Sequence, residues 1–285
     1  MDLQISKGGH RFGAFFHPPK ASDLGFPSQL VKRTGDFPVR AFLTGAIGPV
    51  KNQGSEGSCT AHASTSLGER LYRRWKNQQP IFSPAYTYYA ERDVEGALNQ
   101  GDCGAQVETS LRVSDPRAAG GSGWCPLADM PYTPGNISTV PTAAQIASAK
   151  VFPGGAFHSI GNNIANMKSC ILSDYSFVIG ISVFDSFESD GAAATGLIPF
   201  PNVNAESLQG GHETHAGLGF DDTIQCPNSP NPGAVFCQNS WGDEWGCACR
   251  GALGTGRGFY WLSYDYLLNV NITSDIRMGH LGLPW

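Results

Sequence analysis

Gln53-Gly54-Ser55-Glu56-Gly57-Ser58-Cys59 runs straight into a helical pattern, and this junction organises the chain. Ala63, Leu67, Leu71 and Trp75 recur every fourth residue, which predicts a helix from Cys59 to about Trp75 with one buried stripe. Ser58 is suited to cap its start, and Arg70, Arg73 and Arg74 suit its C-terminal end. A thiol in the first helical turn faces the positive end of the helix dipole, which favours the nucleophilic thiolate. The preceding glycines allow a sharp turn, so that the Cys59 amide can point at a substrate. With the side-chain NH2 of Gln53 it would form a two-donor oxyanion hole. The competing reading is a buried, unreactive cysteine at a helix start.

A thiol nucleophile needs a base, and Gly210-Gly211-His212-Glu213-Thr214-His215 offers two histidines at the start of a predicted strand. Further on stands Cys237-Gln238-Asn239-Ser240-Trp241-Gly242-Asp243-Glu244-Trp245-Gly246. An asparagine can orient an imidazole without adding charge, and a tryptophan beside it can shield that hydrogen bond. Taken alone, such tryptophans are more often core residues.

Pro49-Val50-Lys51-Asn52-Gln53-Gly54, then Gly57-Ser58-Cys59, a downstream histidine, Asn239-Ser240-Trp241-Gly242 and Trp245-Gly246 together resemble the papain-like cysteine proteases. Phe82-Ser83-Pro84-Ala85-Tyr86 is similar to the family's second helix, and Gly219-Phe220-Asp221-Asp222 to its bacterial branch. The resemblance covers about residues 38–268. It implies an α+β fold of two lobes, one helical and one an antiparallel β-barrel-like sheet, with the active site in the cleft between them. It also implies peptide-bond hydrolysis without metal or cofactor. Cys59 would be the nucleophile, a histidine its base and Asn239 the orienting residue. Gln53 would bind the oxyanion, Trp241 would cover the Asn–His bond and Gly104 would line the cleft.

Several residues depart from the family's pattern. His212 lies seven residues before Gly219 and His215 four before it, and the family's usual spacing falls between the two. Taking His212 as the base requires one inserted residue, such as a β-bulge. It also carries Glu213 into a packed strand, where it needs a partner. His215, followed by Ala216, is the alternative base. Glu56 stands where many relatives have a disulfide-bonded cysteine, and Thr60 where a tryptophan is usual.

The chain has 285 residues with a net charge of −5, which argues against a nucleic-acid partner. No apolar run is long enough to span a membrane. The expected partners are a peptide or protein substrate and the chain's own N-terminal segment. Helical patterns dominate residues 59–115 and strand patterns 150–270, so the expected organisation is a leader over 1–38, a mainly helical lobe over 39–145 and a mainly β lobe over 146–285. Within the helical part, further helices are expected from Ser83-Pro84 and from about Ala105 to Val113. The Gly- and Pro-rich leader has two readings: it crosses the cleft and limits access, or it packs on the back of one lobe. Met1 to Phe15 lacks the apolar core of a secretion signal, which leaves both cytoplasmic and secreted locations open. Of eight cysteines, a catalytic Cys59 leaves seven, enough for three disulfides at most. Cys226, Cys237, Cys247 and Cys249 could also form a zinc site, although their Cys-x-Cys spacing is tight for one. Two other functions fit the same motifs: a thiol acyltransferase or deamidase on a related fold, and a regulatory protein whose cleft is permanently blocked.

Overall fold

Cys59–Lys76 forms helix α1, with Asn77 closing it in a left-handed conformation whose N–H returns to the Tyr72 carbonyl. The computed structural model describes residues 5–6, 8–16, 25–29, 31, 36–133 and 135–281. The start of α1 differs from expectation. Ser58 makes no side-chain cap, and its hydroxyl meets Tyr132 Oη at 2.9 Å instead. Nor is there a single stripe. Every residue from Cys59 to Tyr72 is buried, whereas Trp75 is 40% exposed and stacks on Tyr175. The helix is central, with neighbours on all sides. Trp124 lies so close to Gly68 that a Cβ there would fall 2.8 Å from the indole. The polar residues this buries are paired: Glu69 with Lys51 at 2.6 Å and Arg70 with Asp174 at 2.7 Å.

Helix α2 (Pro84–Val94) begins as expected, with Ser83 Oγ accepting from Tyr86 N and Pro84 in the first turn. The helix expected from Ala105 is shorter. Gly104, at φ +76°, turns the chain so that Ala105–Gln106 becomes strand β3, and α3 follows as Val107–Arg112. Strand β1 (Ala14–Phe15), from the N-terminal segment, pairs parallel with β3.

The remainder is built on a seven-stranded antiparallel sheet. Strands β4 (Phe157–Ser159), β9 (Thr273–Gly279), β5 (Phe177–Phe184), β6 (Leu208–Asp221), β7 (Ala234–Gln238) and β8 (Phe259–Ser263) run in that order, and β2 (Arg40–Phe42) also pairs with β6. Helix α4 (Ala143–Ala149) precedes the sheet, and α5 (Ile164–Leu172) packs against β6 and β2. The register between β6 and β7 is irregular between His215 and Gly219, where Gly217 takes φ +71° against the Phe177 ring. This irregularity falls in the interval where His212 required an inserted residue.

Candidate active site

Cys59 is the first residue of α1 and has no exposed surface. Burial pushes its thiol up to about 12, opposed by the backbone N–H groups of Glu213 and Gly13. His212 sits within β6, equally buried, and its Nε2 lies 2.9 Å from Asn239 Oδ1. Asn239 Oδ1 also accepts from Ser240 N at 2.8 Å. An accepting amide oxygen makes Nε2 the donor, which leaves Nδ1 as the ring's acceptor; it has no hydrogen-bond partner among the described residues. Desolvation pulls the imidazole down to about 4 against the opposing effect of Asn239. The ring centre of Trp241 lies 5.2 Å from that of the imidazole, and the ring centre of Phe12, nearly perpendicular to it, 5.7 Å.

His215 is elsewhere. Three residues along a strand, it projects from the opposite face. Its Nε2 meets Ser176 Oγ at 2.8 Å and its Nδ1 meets Gln238 Oε1 at 3.3 Å.

Gln53 is brought to Asn239 by backbone bonds between the two motifs. Gln53 N donates to Ser240 O at 2.8 Å, and Gly242 N donates to Lys51 O at 3.0 Å. Its side chain is fixed as well: Oε1 accepts from Ser240 Oγ at 2.6 Å, and Nε2 donates to Glu56 O at 2.8 Å and to Arg11 O at 3.2 Å.

Arg11 belongs to the N-terminal segment, and residues 10–16 of that segment cross this site. His10 stacks on Trp241 with ring centres 4.1 Å apart. Gly13 O accepts from Ala105 N at 2.8 Å, and Gly13 forms a parallel bridge with Gly211. The approach is backbone to backbone. A Cβ on Gly13 would lie 2.0 Å from Gly57 O, one on Gly104 2.1 Å from Gly13 O, and one on Gly211 2.0 Å from Ala14 O. The rest of the segment up to residue 38 lies largely outside the described residues.

Several residues at the site were not singled out in the sequence. Ser240 holds Gln53, and Asp102 accepts from Gly57 N at 2.8 Å and from Tyr88 Oη at 2.6 Å. Beneath Cys59 lie two fully buried carboxyls, Glu91 and Glu213. Thr60 Oγ1 donates to Glu91 at 2.7 Å and Ser110 Oγ to Glu213 at 3.3 Å, leaving the second oxygen of each without a partner among the described residues. Burial first raises both well above the ordinary carboxyl range, and for Glu213 the charge of Glu91 adds to it. The partner that Glu213 needed is therefore only half supplied.

All eight cysteines are free thiols. Among the described residues no three His, Cys, Asp or Glu side chains are arranged to hold a metal ion, and no helix is long and apolar enough to cross a membrane.

No protein-family model matches the chain. An uncharacterized peptidase C1-like protein of Acanthamoeba polyphaga mimivirus is 26% identical over 253 residues, covering 85% of this chain and 73% of that one. Among solved structures, xylellain, a cysteine protease from Xylella fastidiosa, superposes with a TM-score of 0.77 at 25% identity, covering 97% of each chain. Procathepsin B S9 from Trypanosoma congolense gives 0.65 at 16% identity over 94% of this chain and 86% of that one, a likeness of fold alone. A helix-borne thiol packed on an antiparallel sheet, shared along nearly the full length of xylellain and joined to a peptidase C1-like relative, gives this chain the fold of the papain-like cysteine peptidases.

Proposed function

We propose that the chain hydrolyses peptide bonds through Cys59, His212 and Asn239, with Gln53 as an oxyanion donor, and that its N-terminal segment holds it in a closed form. The observation that carries this reading is a peptide backbone already seated in the cleft. Gln53 Nε2 donates to the Arg11 carbonyl at 3.2 Å, and Ala105 N donates to the Gly13 carbonyl at 2.8 Å. Relatives solved as proforms, procathepsin B S9 among them, favour an inhibitory role for the segment.

In the closed form the thiol and the imidazole are both dry, and burial drives both toward neutrality. Release of the segment readmits water and lets His212 take the Cys59 proton. The thiolate then attacks the substrate carbonyl carbon, and the oxyanion takes the place of the Arg11 carbonyl at Gln53 Nε2. His212 returns its proton to the leaving amine as the C–N bond breaks, which leaves a thioester. It then removes a proton from water, whose hydroxide displaces the thiolate and frees the carboxylic acid. Asn239 holds the ring throughout, keeping Nε2 as donor and Nδ1 toward the reacting groups.

Turnover of an internally quenched peptide by the full chain, before and after loosening the segment with Phe12→Ala, tests this reading. Turnover should rise in the variant and vanish in Cys59→Ala. Absence of turnover in Phe12→Ala, with Cys59 unlabelled by iodoacetamide, favours the permanently blocked protein instead. His212→Ala should abolish the low-pH thiolate, and its loss on His215→Ala alone would reverse the assignment of the base.

A further inference from the structure

Arg11 is the residue whose carbonyl reaches the Gln53 amide, and its side chain is held as well. Its Nη1 donates to Asp102 Oδ2 at 3.1 Å. Asp102 is only 7% exposed and is fixed from two further directions, by Gly57 N and Tyr88 Oη. Glu56 stands beside it, close enough for Asp102 to raise its carboxyl and for Arg11 to lower it, with burial the largest effect. Among the described residues Arg11 is the one cation bonded to Asp102, and it comes from the segment that must leave.

We propose that Asp102, flanked by Glu56, determines specificity by selecting an arginine or lysine at the substrate residue whose carbonyl is attacked. Arg11 occupies that place in the closed chain. The inference rests on the proposed peptidase site. It follows from two constraints. In the closed chain one residue meets both groups, its carbonyl at Gln53 Nε2 and its side chain at Asp102, so the oxyanion donor and this carboxylate lie within a single residue's reach. Departure of Arg11 also strips a buried carboxylate of its cation, an unfavourable state that a basic substrate side chain relieves. Guanidinium suits the task because it stays charged and its planar donor fork matches a carboxylate.

The test uses the full chain carrying Phe12→Ala and two fluorogenic peptides that differ only in arginine or citrulline at that residue. The ratio of their kcat/KM values is independent of how often the segment covers the cleft, because occupancy scales both alike. The arginine peptide should be favoured about 10-fold or more, the scale of a hydrogen bond between charged partners. Asp102→Asn should bring the ratio to within about threefold of unity. Because Asp102 also holds Gly57 and Tyr88, Glu56→Gln serves as a second variant that leaves those bonds intact; it should lower the ratio about twofold to threefold. A ratio near one in the Phe12→Ala protein, or a ratio unchanged by Asp102→Asn, overturns the inference while both peptides are still cut. Cleavage of neither peptide overturns the peptidase reading and the inference with it.

Discussion

Phe12→Ala should expose Cys59 to alkylation. Phe12 is 5% exposed and meets His212 and Trp241 edge to face, with ring centres 5.7 and 5.8 Å apart. Burial of a phenylalanine side chain contributes about 1.5–3 kcal/mol, and each 1.4 kcal/mol is tenfold, so truncation should raise the open population by about 10- to 150-fold. The closed form contributes almost nothing to labelling. With its thiol pushed up to about 12, the thiolate fraction at pH 7 is about 10⁻⁵, against about 3% for an ordinary thiol near 8.5. Labelling therefore proceeds through the open state and should accelerate by the same 10- to 150-fold. The assay is iodoacetamide at pH 7, with the Cys59 peptide followed by mass spectrometry. Buried Cys226 and Cys237 serve as internal clocks for global unfolding. The reasoning fails if Cys59 labelling is unchanged in a folded Phe12→Ala protein, or if it rises only in step with Cys237.

Asn239→Ala removes the 2.9 Å bond to His212 and should lower kcat by about 10- to 100-fold with a smaller change in KM, measured by steady-state peptide hydrolysis in the Phe12→Ala background. His215→Ala breaks the contacts to Ser176 and Gln238 and should cost about 1–3 kcal/mol in a urea titration, while the folded fraction keeps its kcat. Glu213 bears on stability against pH. Its carboxyl is raised in the folded state, so the native chain keeps a proton that the unfolded chain loses above about 4.3. Below that value the group carries no penalty, and as pH rises toward the folded value stability falls by up to about 1.4 kcal/mol per pH unit. Glu213→Gln should remove that slope, so its urea midpoint relative to the parent should improve from pH 5 to pH 8. A parallel pair of curves would show that Glu213 is ionised in the folded protein.

What the sequence displays locally is what the structure repeats. Ser83-Pro84 opens a helix because both residues act within one turn, and β5 is readable because every position from Phe177 to Phe184 is buried. The α+β class follows from such segments. The misjudged features depend on distant partners. Ser58 turns away from its own helix because Tyr132 offers a hydroxyl. Gln106 leaves the helical pattern because Ala105 pairs with Ala14. Strand β9 escapes notice because buried Asp275 and Arg277 break its apolar alternation with an ion pair. The candidate site divides in the same way. Cys59, His212 and Asn239 stand in motifs, whereas Asp102 carries no local signature and gains meaning only from Gly57, Tyr88 and Arg11, which the fold brings to it.

The 36 glycines belong to this argument. Four of them, at 13, 57, 104 and 211, meet where the N-terminal segment enters the cleft, and the Cβ positions of Gly13, Gly104 and Gly211 lie about 2 Å from backbone atoms across the contact. The cleft walls therefore grip the segment by main chain and leave side chains to choose the register. Main-chain contacts are blind to sequence, so the same walls that hold the segment suit the backbone of any extended peptide. Preference must then come from the few side chains that reach past the glycines. On this chain His10, Arg11 and Phe12 are described examples, stacked on Trp241, bonded to a buried carboxylate and packed against the imidazole respectively. A segment held by such anchors over a sequence-blind groove can be displaced by a peptide that matches one of them, so under the proposed function closure and specificity are two readings of one surface.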